Sequence, residues 1–194
     1  MTDLSSKSTA KPAPPTTLFL FGAHGDLVKR LLMPALYNLS RDGLLDDGLR
    51  IVGVDHNAIS DEGFAKKLED FIRTEAAGKV DHPEGHGLNA ELWASLAKNI
   101  SYVQGDFLED STYAALEQKI IASGTGNAVF YLATAPRFFS EVVQRLGASG
   151  LLNETPQAFR RVVIEKPFGS DLQTAQALNA CLLSVMSEKQ IYRI

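Results

Sequence analysis

The chain has 194 residues, 45% of them hydrophobic and 22% charged, with a formal net charge of −4 at pH 7. That make-up is ordinary for a globular protein with one cored domain. It excludes a basic footprint for nucleic acid and a cationic face for a membrane, and no apolar run approaches the roughly 18 residues of a membrane span.

Residues 1–17, MTDLSSKSTAKPAPPTT, have no apolar stretch for a secretory signal and no arginines for a transit peptide, so they read as a disordered leader. The first strand is LFLF at 18–21, and a helical pattern follows over 26–41, which Pro34 is expected to kink or split. RIVGVD at 50–55 is the second strand, followed by helical patterns over 60–77 and 89–98, the former with Ser60 as its cap. SYVQG at 101–105 is the third strand, a helix at 110–122 starts at a capping Asp110, and AVFYLAT at 128–134 is the fourth strand. A helix over 137–147 leads to the strand RRVVIEK at 160–166, then to a helix over 171–187 capped by Asp171, and IYRI at 191–194 closes the chain. In the last helix Leu172, Ala175, Leu178, Leu182 and Val185 recur at helical spacing and predict one buried face. Cys181, the single cysteine, sits among them and reads as a packed apolar residue. With no intramolecular disulfide possible, a reducing cytoplasm is the expected compartment.

Apolar strands alternating with helices imply a parallel sheet covered on both faces, a Rossmann-type doubly wound α/β domain over 18–194. Ligands of such sheets bind beyond the carboxyl ends of the strands. The stretch LFLFGAHGDLVKR runs a strand into a helix through Gly22 and Gly25. Gly22 can take a tight turn with positive φ, and Gly25 lets a phosphate approach the N–H groups at the helix start, where the helix dipole adds about 0.3–1 kcal/mol. Asp26 would oppose a phosphate, so it is expected to point away and cap backbone N–H groups, with Lys29 and Arg30 as the nearby cations. A plain strand–turn–helix corner with two structural glycines is the alternative.

Other chemistries lack their signatures. There is no G-x-x-x-x-G-K-[ST] for a P-loop and no G-x-S-x-G nucleophile elbow. No tyrosine has a lysine four residues on, which argues against a short-chain dehydrogenase pair. His82 and His86 in HPEGH lie four apart in a Gly/Pro loop without further ligands, so no metal site is expected.

Three stretches, FGAHGDLVKRLLMPALYNL, YLATAPRFF and EKPFGSDL, together resemble the amino-terminal part of the glucose-6-phosphate dehydrogenase family, of bacterial type, and the resemblance runs from about residue 18 to the end. It implies a coenzyme domain in which hydride passes from C1 of glucose 6-phosphate to C4 of a nicotinamide, the first step of the oxidative pentose phosphate pathway. It carries over Gly22, Ala23, His24, Gly25, Asp26, Leu27, Val28 and Lys29 as cofactor contacts, and Lys166 as the residue between cofactor and sugar phosphate. That position is physically apt. Lys166 ends a strand at the binding edge and Pro167 forces it extended.

Two places depart from the family pattern. Leu31 stands where the family has a lysine close to the reacting groups. His56, between Asp55 and Asn57, stands where the family has an NADP-selecting arginine. Asp55 at the end of the second strand could accept hydrogen bonds from the adenosine ribose hydroxyls, which favours NAD. Its charge about 4 Å from a 2′-phosphate would cost on the order of 4 kcal/mol at an effective dielectric of 20. His56 and Asn57 could still bind that phosphate, His56 more strongly when protonated. The family implies NADP; these residues imply NAD or dual use.

The resemblance also implies that the general-base histidine and the motif holding the substrate phosphate lie beyond IYRI. The chain therefore reads as a coenzyme-domain fragment with no catalytic residue of its own and negligible dehydrogenase activity alone, binding glucose 6-phosphate and forming a homo-oligomer only at full length. Two alternatives stay open: a non-catalytic dinucleotide sensor, and an interaction module using an exposed apolar face.

Overall fold

The computed structural model describes residues 11–78 and 88–194. Six strands form one sheet: β1 (Thr17–Phe21), β2 (Arg50–Asp55), β3 (Ile100–Gln104), β4 (Ala128–Leu132), β5 (Arg160–Ile164) and β6 (Ile191–Arg193). All pairings are parallel, in the order β3-β2-β1-β4-β5-β6. The order reverses between β1 and β4, so their carboxyl ends open the crevice where ligands of such sheets bind. This is the doubly wound α/β architecture expected from the alternation of strands and helices.

Period-two alternation sends neighbouring strand residues into two cores. Phe19 and Phe21 face one side, where Phe19 stacks on Phe130 of β4 with ring centroids 5.2 Å apart. That side is covered by α4 (Asp110–Ser123), α5 (Phe139–Ala148) and α6 (Leu172–Val185). Leu20 and Ile51 face the other side, under α1 (Met33–Arg41), α2 (Asp61–Gly78) and α3 (Ala90–Ala97).

Several local expectations are corrected. The first helical run is not simply kinked at Pro34: a π-helical turn spans Val28–Leu32, and Met33 N–H bonds to Val28 O. α1 continues directly from it with Pro34 in its first turn, so the run widens before the residue that has no N–H to donate instead of breaking there. β4 and β5 end at Leu132 and Ile164, two residues short of expectation, and α6 ends at Val185 because Met186 is extended (φ −150°). Asp110 is not a cap. Glu109 holds that position without a side-chain bond, and Asp110 instead lies 2.6 Å from Arg145 Nη1.

The other two caps are present: Gly63 N–H donates to Ser60 Oγ at 3.0 Å, and Asp171 forms a reciprocal capping box with Thr174. The stripe on α6 is only partly buried. Leu182 is enclosed and Leu178 and Val185 pack against the core, whereas Leu172 is 74% exposed. The physical reason is position: among the described residues α6 packs chiefly against α5, and its first turn, with Leu172, lies beyond that contact in solvent. Cys181 is half-buried between those helices, with Sγ 3.8 Å from Ser140 O.

The leader expected over 1–17 lies outside the described residues up to residue 10. From Lys11 the chain is placed: Ala13 N–H donates to Leu44 O at 3.0 Å, Thr16 is buried, and β1 begins at Thr17. His82 and His86 also lie outside the described residues.

Candidate dinucleotide site

The glycine turn is fastened to the end of β2. Gly22 has φ +85°, and its N–H and that of Ala23 donate to Val54 O at 3.0 and 3.3 Å. His24 N–H donates to Asp55 Oδ2 at 3.2 Å, and Gly25 N–H closes the turn onto Gly22 O at 2.9 Å. Lys29 N–H makes the first helical bond, to Gly25 O at 3.4 Å, so the N–H groups of Asp26, Leu27 and Val28 precede it. Of these, the N–H groups of Asp26 and Leu27, rather than those of the glycines or of the wholly buried Val28, are what the backbone offers an anion.

The turn also fits a close approach. A Cβ on Gly22 would lie 2.6 Å from Ala133 O, just past β4, and one on Gly25 would lie 3.0 Å from Gly22 O. Bare backbone thus fills the crevice between β1 and β4, which suits a dinucleotide pyrophosphate. Ala23 and Val28 are wholly buried, backbone included, so they shape the turn from beneath rather than face a ligand. Asp26 does point away, its carboxylate 3.9 Å from Arg30 Nε on the exposed helix face, but it makes no cap bond. Leu31 is 61% exposed.

At the end of β2 the expected ribose acceptor is already engaged. The Asp55 side chain is only 9% exposed; Oδ2 takes the His24 N–H, and Oδ1 accepts Asn57 Nδ2–H at 2.9 Å. His56 Nδ1 also lies 2.9 Å from Oδ1, while the rest of that imidazole is in solvent. His24 is packed edge-on between Phe64 and Tyr102, its Nε2 buried without a hydrogen-bond partner among the described residues and its Nδ1 3.4 Å from the Tyr102 hydroxyl. Burial lowers the His24 imidazole from its usual value, and the Asp55 carboxylate only partly offsets this.

Tyr102 is a residue that the sequence reading missed. Its hydroxyl lies 2.7 Å from Asn57 O and 3.2 Å from Asp55 O, holding the chain after β2 against β3. Only its place near the carboxyl end of a strand could have signalled that.

Lys166 stands two residues beyond β5 rather than ending it. It is exposed, follows Glu165 and precedes a cis peptide bond to Pro167, and its N–H donates to Ile194 O at 3.1 Å. β6 therefore holds this loop at the same sheet edge as the glycine turn. Tyr131 of β4 donates its hydroxyl to Glu165 Oε1 at 2.5 Å, and burial together with that carboxylate raises the phenol well above its ordinary value. An open groove of about 850 Å³ runs beside the loop, between Arg137, Ser140, Pro167, Gly169 and Thr174. Among the described residues no group of three or more His, Cys, Asp and Glu side chains could hold a metal ion, and no helix is long and apolar enough to cross a membrane.

Residues 19–194 match the family profile described as glucose-6-phosphate dehydrogenase, NAD binding domain. Glucose-6-phosphate 1-dehydrogenase of Chlamydia muridarum is 34% identical over 203 residues, covering 100% of this chain and 39% of that protein. The enzyme of the same name from Mycolicibacterium smegmatis is 37% identical over 190 residues, covering 96% of this chain and 36% of that protein. A crystal structure of glucose-6-phosphate 1-dehydrogenase from Mycobacterium avium aligns with a TM-score of 0.78 and 32% identity, over 94% of this chain and 36% of that one. A glucose-6-phosphate dehydrogenase in complex with its substrate glucose-6-phosphate aligns at 0.77 and 30% identity, over 93% and 36%. The chain thus spans 36–39% of the length of these relatives.

Proposed function

The chain belongs to the glucose-6-phosphate dehydrogenase family, and we propose that it binds a nicotinamide dinucleotide across the β1–β4 crevice, as the coenzyme part of an enzyme that oxidises glucose 6-phosphate. The observation that carries this reading is the bare glycine turn pinned to β2, with Gly22 at φ +85° and the N–H groups of Asp26 and Leu27 still ahead of the next helix's first bond. Those N–H groups hold the pyrophosphate, and the end of β2 meets the adenosine ribose. Bound there, the cofactor supplies the hydride acceptor.

Lys166 is the residue of this chain placed to meet the sugar phosphate. Its loop sits at the same sheet edge as the turn, fastened by Ile194 O. Oxidation of the sugar also requires a base and a substrate-phosphate site in residues other than these, so the chain alone turns over negligibly. Assembly into a homo-oligomer and a place in the cytoplasm belong to the same reading of the longer protein.

Selectivity between the cofactors is weak in this reading. Asp55 disfavours a 2′-phosphate, while His56 and Asn57 offer it hydrogen bonds. Calorimetric titration of the chain with NAD and NADP tests both points. Saturable binding of each, within about tenfold of the other, is expected; a hundredfold preference for NADP would refute dual use.

A further inference from the structure

We propose that Tyr102 is a positioning residue of the dinucleotide site: its hydroxyl ties the glycine turn to the segment after β2 and holds both in shape before a ligand arrives. The inference rests on the dinucleotide reading above and deepens it, naming what organises the β2 side of the crevice.

β3 is not a neighbour of β1, so Tyr102 has to reach the turn across β2. Its register partner there is Gly53, which has no side chain to stand in the way. A Cβ on Gly53 would lie 2.6 Å from the Phe64 ring and 3.0 Å from the Ala23 Cβ, so α2 and the turn close over bare backbone. The Tyr102 ring completes that cluster, its centroid 5.2 Å from that of Phe64 and 5.5 Å from that of His24. Tyr102 is buried, so it acts on a ligand through the groups it holds.

A phenol has one proton to donate and lone pairs with which to accept. The proton goes to Asn57 O at 2.7 Å, the shortest contact, with Asp55 O beside it at 3.2 Å. The oxygen is left to accept from His24 Nδ1, 3.4 Å away, which places the proton of the neutral imidazole on that nitrogen. Burial raises the phenol far above its ordinary value, and the Asp55 carboxylate adds to this, so the hydroxyl keeps its proton throughout the physiological range. Asn57 follows β2 and His24 lies in the turn, so one hydroxyl spans the two segments that meet the ribose and the pyrophosphate in the dinucleotide reading. Without it the dinucleotide has to order them itself, and that cost lowers its affinity.

The test is Tyr102→Phe in the 194-residue chain, which keeps the ring and removes the hydroxyl. Ile120→Val, a small deletion in the core on the opposite face of the sheet, controls for a general loss of stability. Circular dichroism confirms the fold of each. In calorimetric titrations with NAD at pH 7.5, Tyr102→Phe should raise the dissociation constant about fivefold or more, and Ile120→Val should stay within about twofold of the wild type. The nuclear magnetic resonance signal of the Gly25 amide, which bonds to Gly22 O rather than to Tyr102, gives a second readout. It should be displaced in the free Tyr102→Phe chain and coincide with the wild-type signal once both are saturated with NAD. Unchanged affinity, or weakened affinity with the free Gly25 signal at its wild-type position, would overturn the inference while leaving dinucleotide binding intact. An equal loss of affinity in Ile120→Val would overturn it too, by reducing Tyr102 to general packing. Failure of a folded wild type to bind either NAD or NADP would overturn the functional reading and this inference with it.

Discussion

The backbone N–H of His24 donates to the carboxylate of Asp55 at 3.2 Å, joining the glycine turn to the end of β2 across 31 positions of sequence. The turn is thereby held by a side chain as well as by Val54 O. Replacing Asp55 by alanine strands the His24 N–H and the Asn57 amide. A loss of about 1–3 kcal/mol in urea unfolding is expected, with a smaller loss for Asp55→Asn, which keeps an acceptor. Equal stability of Asp55→Ala and the wild type would show that the contact carries no weight.

Gly22 is constrained twice, by its φ of +85° and by Ala133 O lying 2.6 Å from where a Cβ would stand. Gly22→Ala should lower stability by about 1–3 kcal/mol, and dinucleotide affinity should fall more than tenfold in the protein that remains folded. Titration of a folded Gly22→Ala chain with unchanged affinity would place the pyrophosphate elsewhere.

His24 gives the fold an acid-sensitive point. Burial depresses its imidazole, with Lys67, Lys29 and His56 pushing the same way and Asp55 opposing. Above about pH 6.5 the ring is neutral in both folded and unfolded chains, and the full stability is present. As the pH drops below that value the unfolded chain takes up the proton first, so stability declines until the lower folded value is passed. Urea midpoints measured from pH 8 to pH 5 should fall more steeply for the wild type than for His24→Gln. Identical slopes would contradict the burial argument.

Lys166 is exposed and attached to the sheet edge through its backbone, so its side chain can be changed without disturbing the fold. Lys166→Gln should leave the melting temperature unchanged and NAD affinity within about threefold. Under the proposed function, kcat/KM for glucose 6-phosphate of an enzyme carrying this domain should drop by roughly a hundredfold or more. An unaffected kcat/KM would remove Lys166 from the substrate site.

The sheet was legible because its signals are local. Phe19 and Leu20, or Val162 and Ile164, carry the alternating or continuous apolar pattern of covered strands, and the positive φ of Gly22 is announced by the residue type itself. What could not be read were pairings between distant segments. Nothing local to Asp55 in the sequence shows that its two oxygens also take the His24 N–H and the Asn57 amide. Asp110 looks like a cap until Arg145 of α5 claims it. Leu172 fits a helical stripe, yet periodicity cannot show that the first turn of the helix is left in solvent. The wide turn before Pro34 has a local cause, but sequence alone does not choose between a kink and an extra residue in the turn.

The account stands most directly on whether the folded chain binds a dinucleotide through its glycine turn. Calorimetric titration with NAD at pH 7.5, run beside the Gly22→Ala variant, measures this. Saturable binding at one site per chain, weakened more than tenfold by the substitution, is the predicted result. A folded wild-type chain that shows no saturable heat with NAD or NADP up to millimolar concentrations would contradict it.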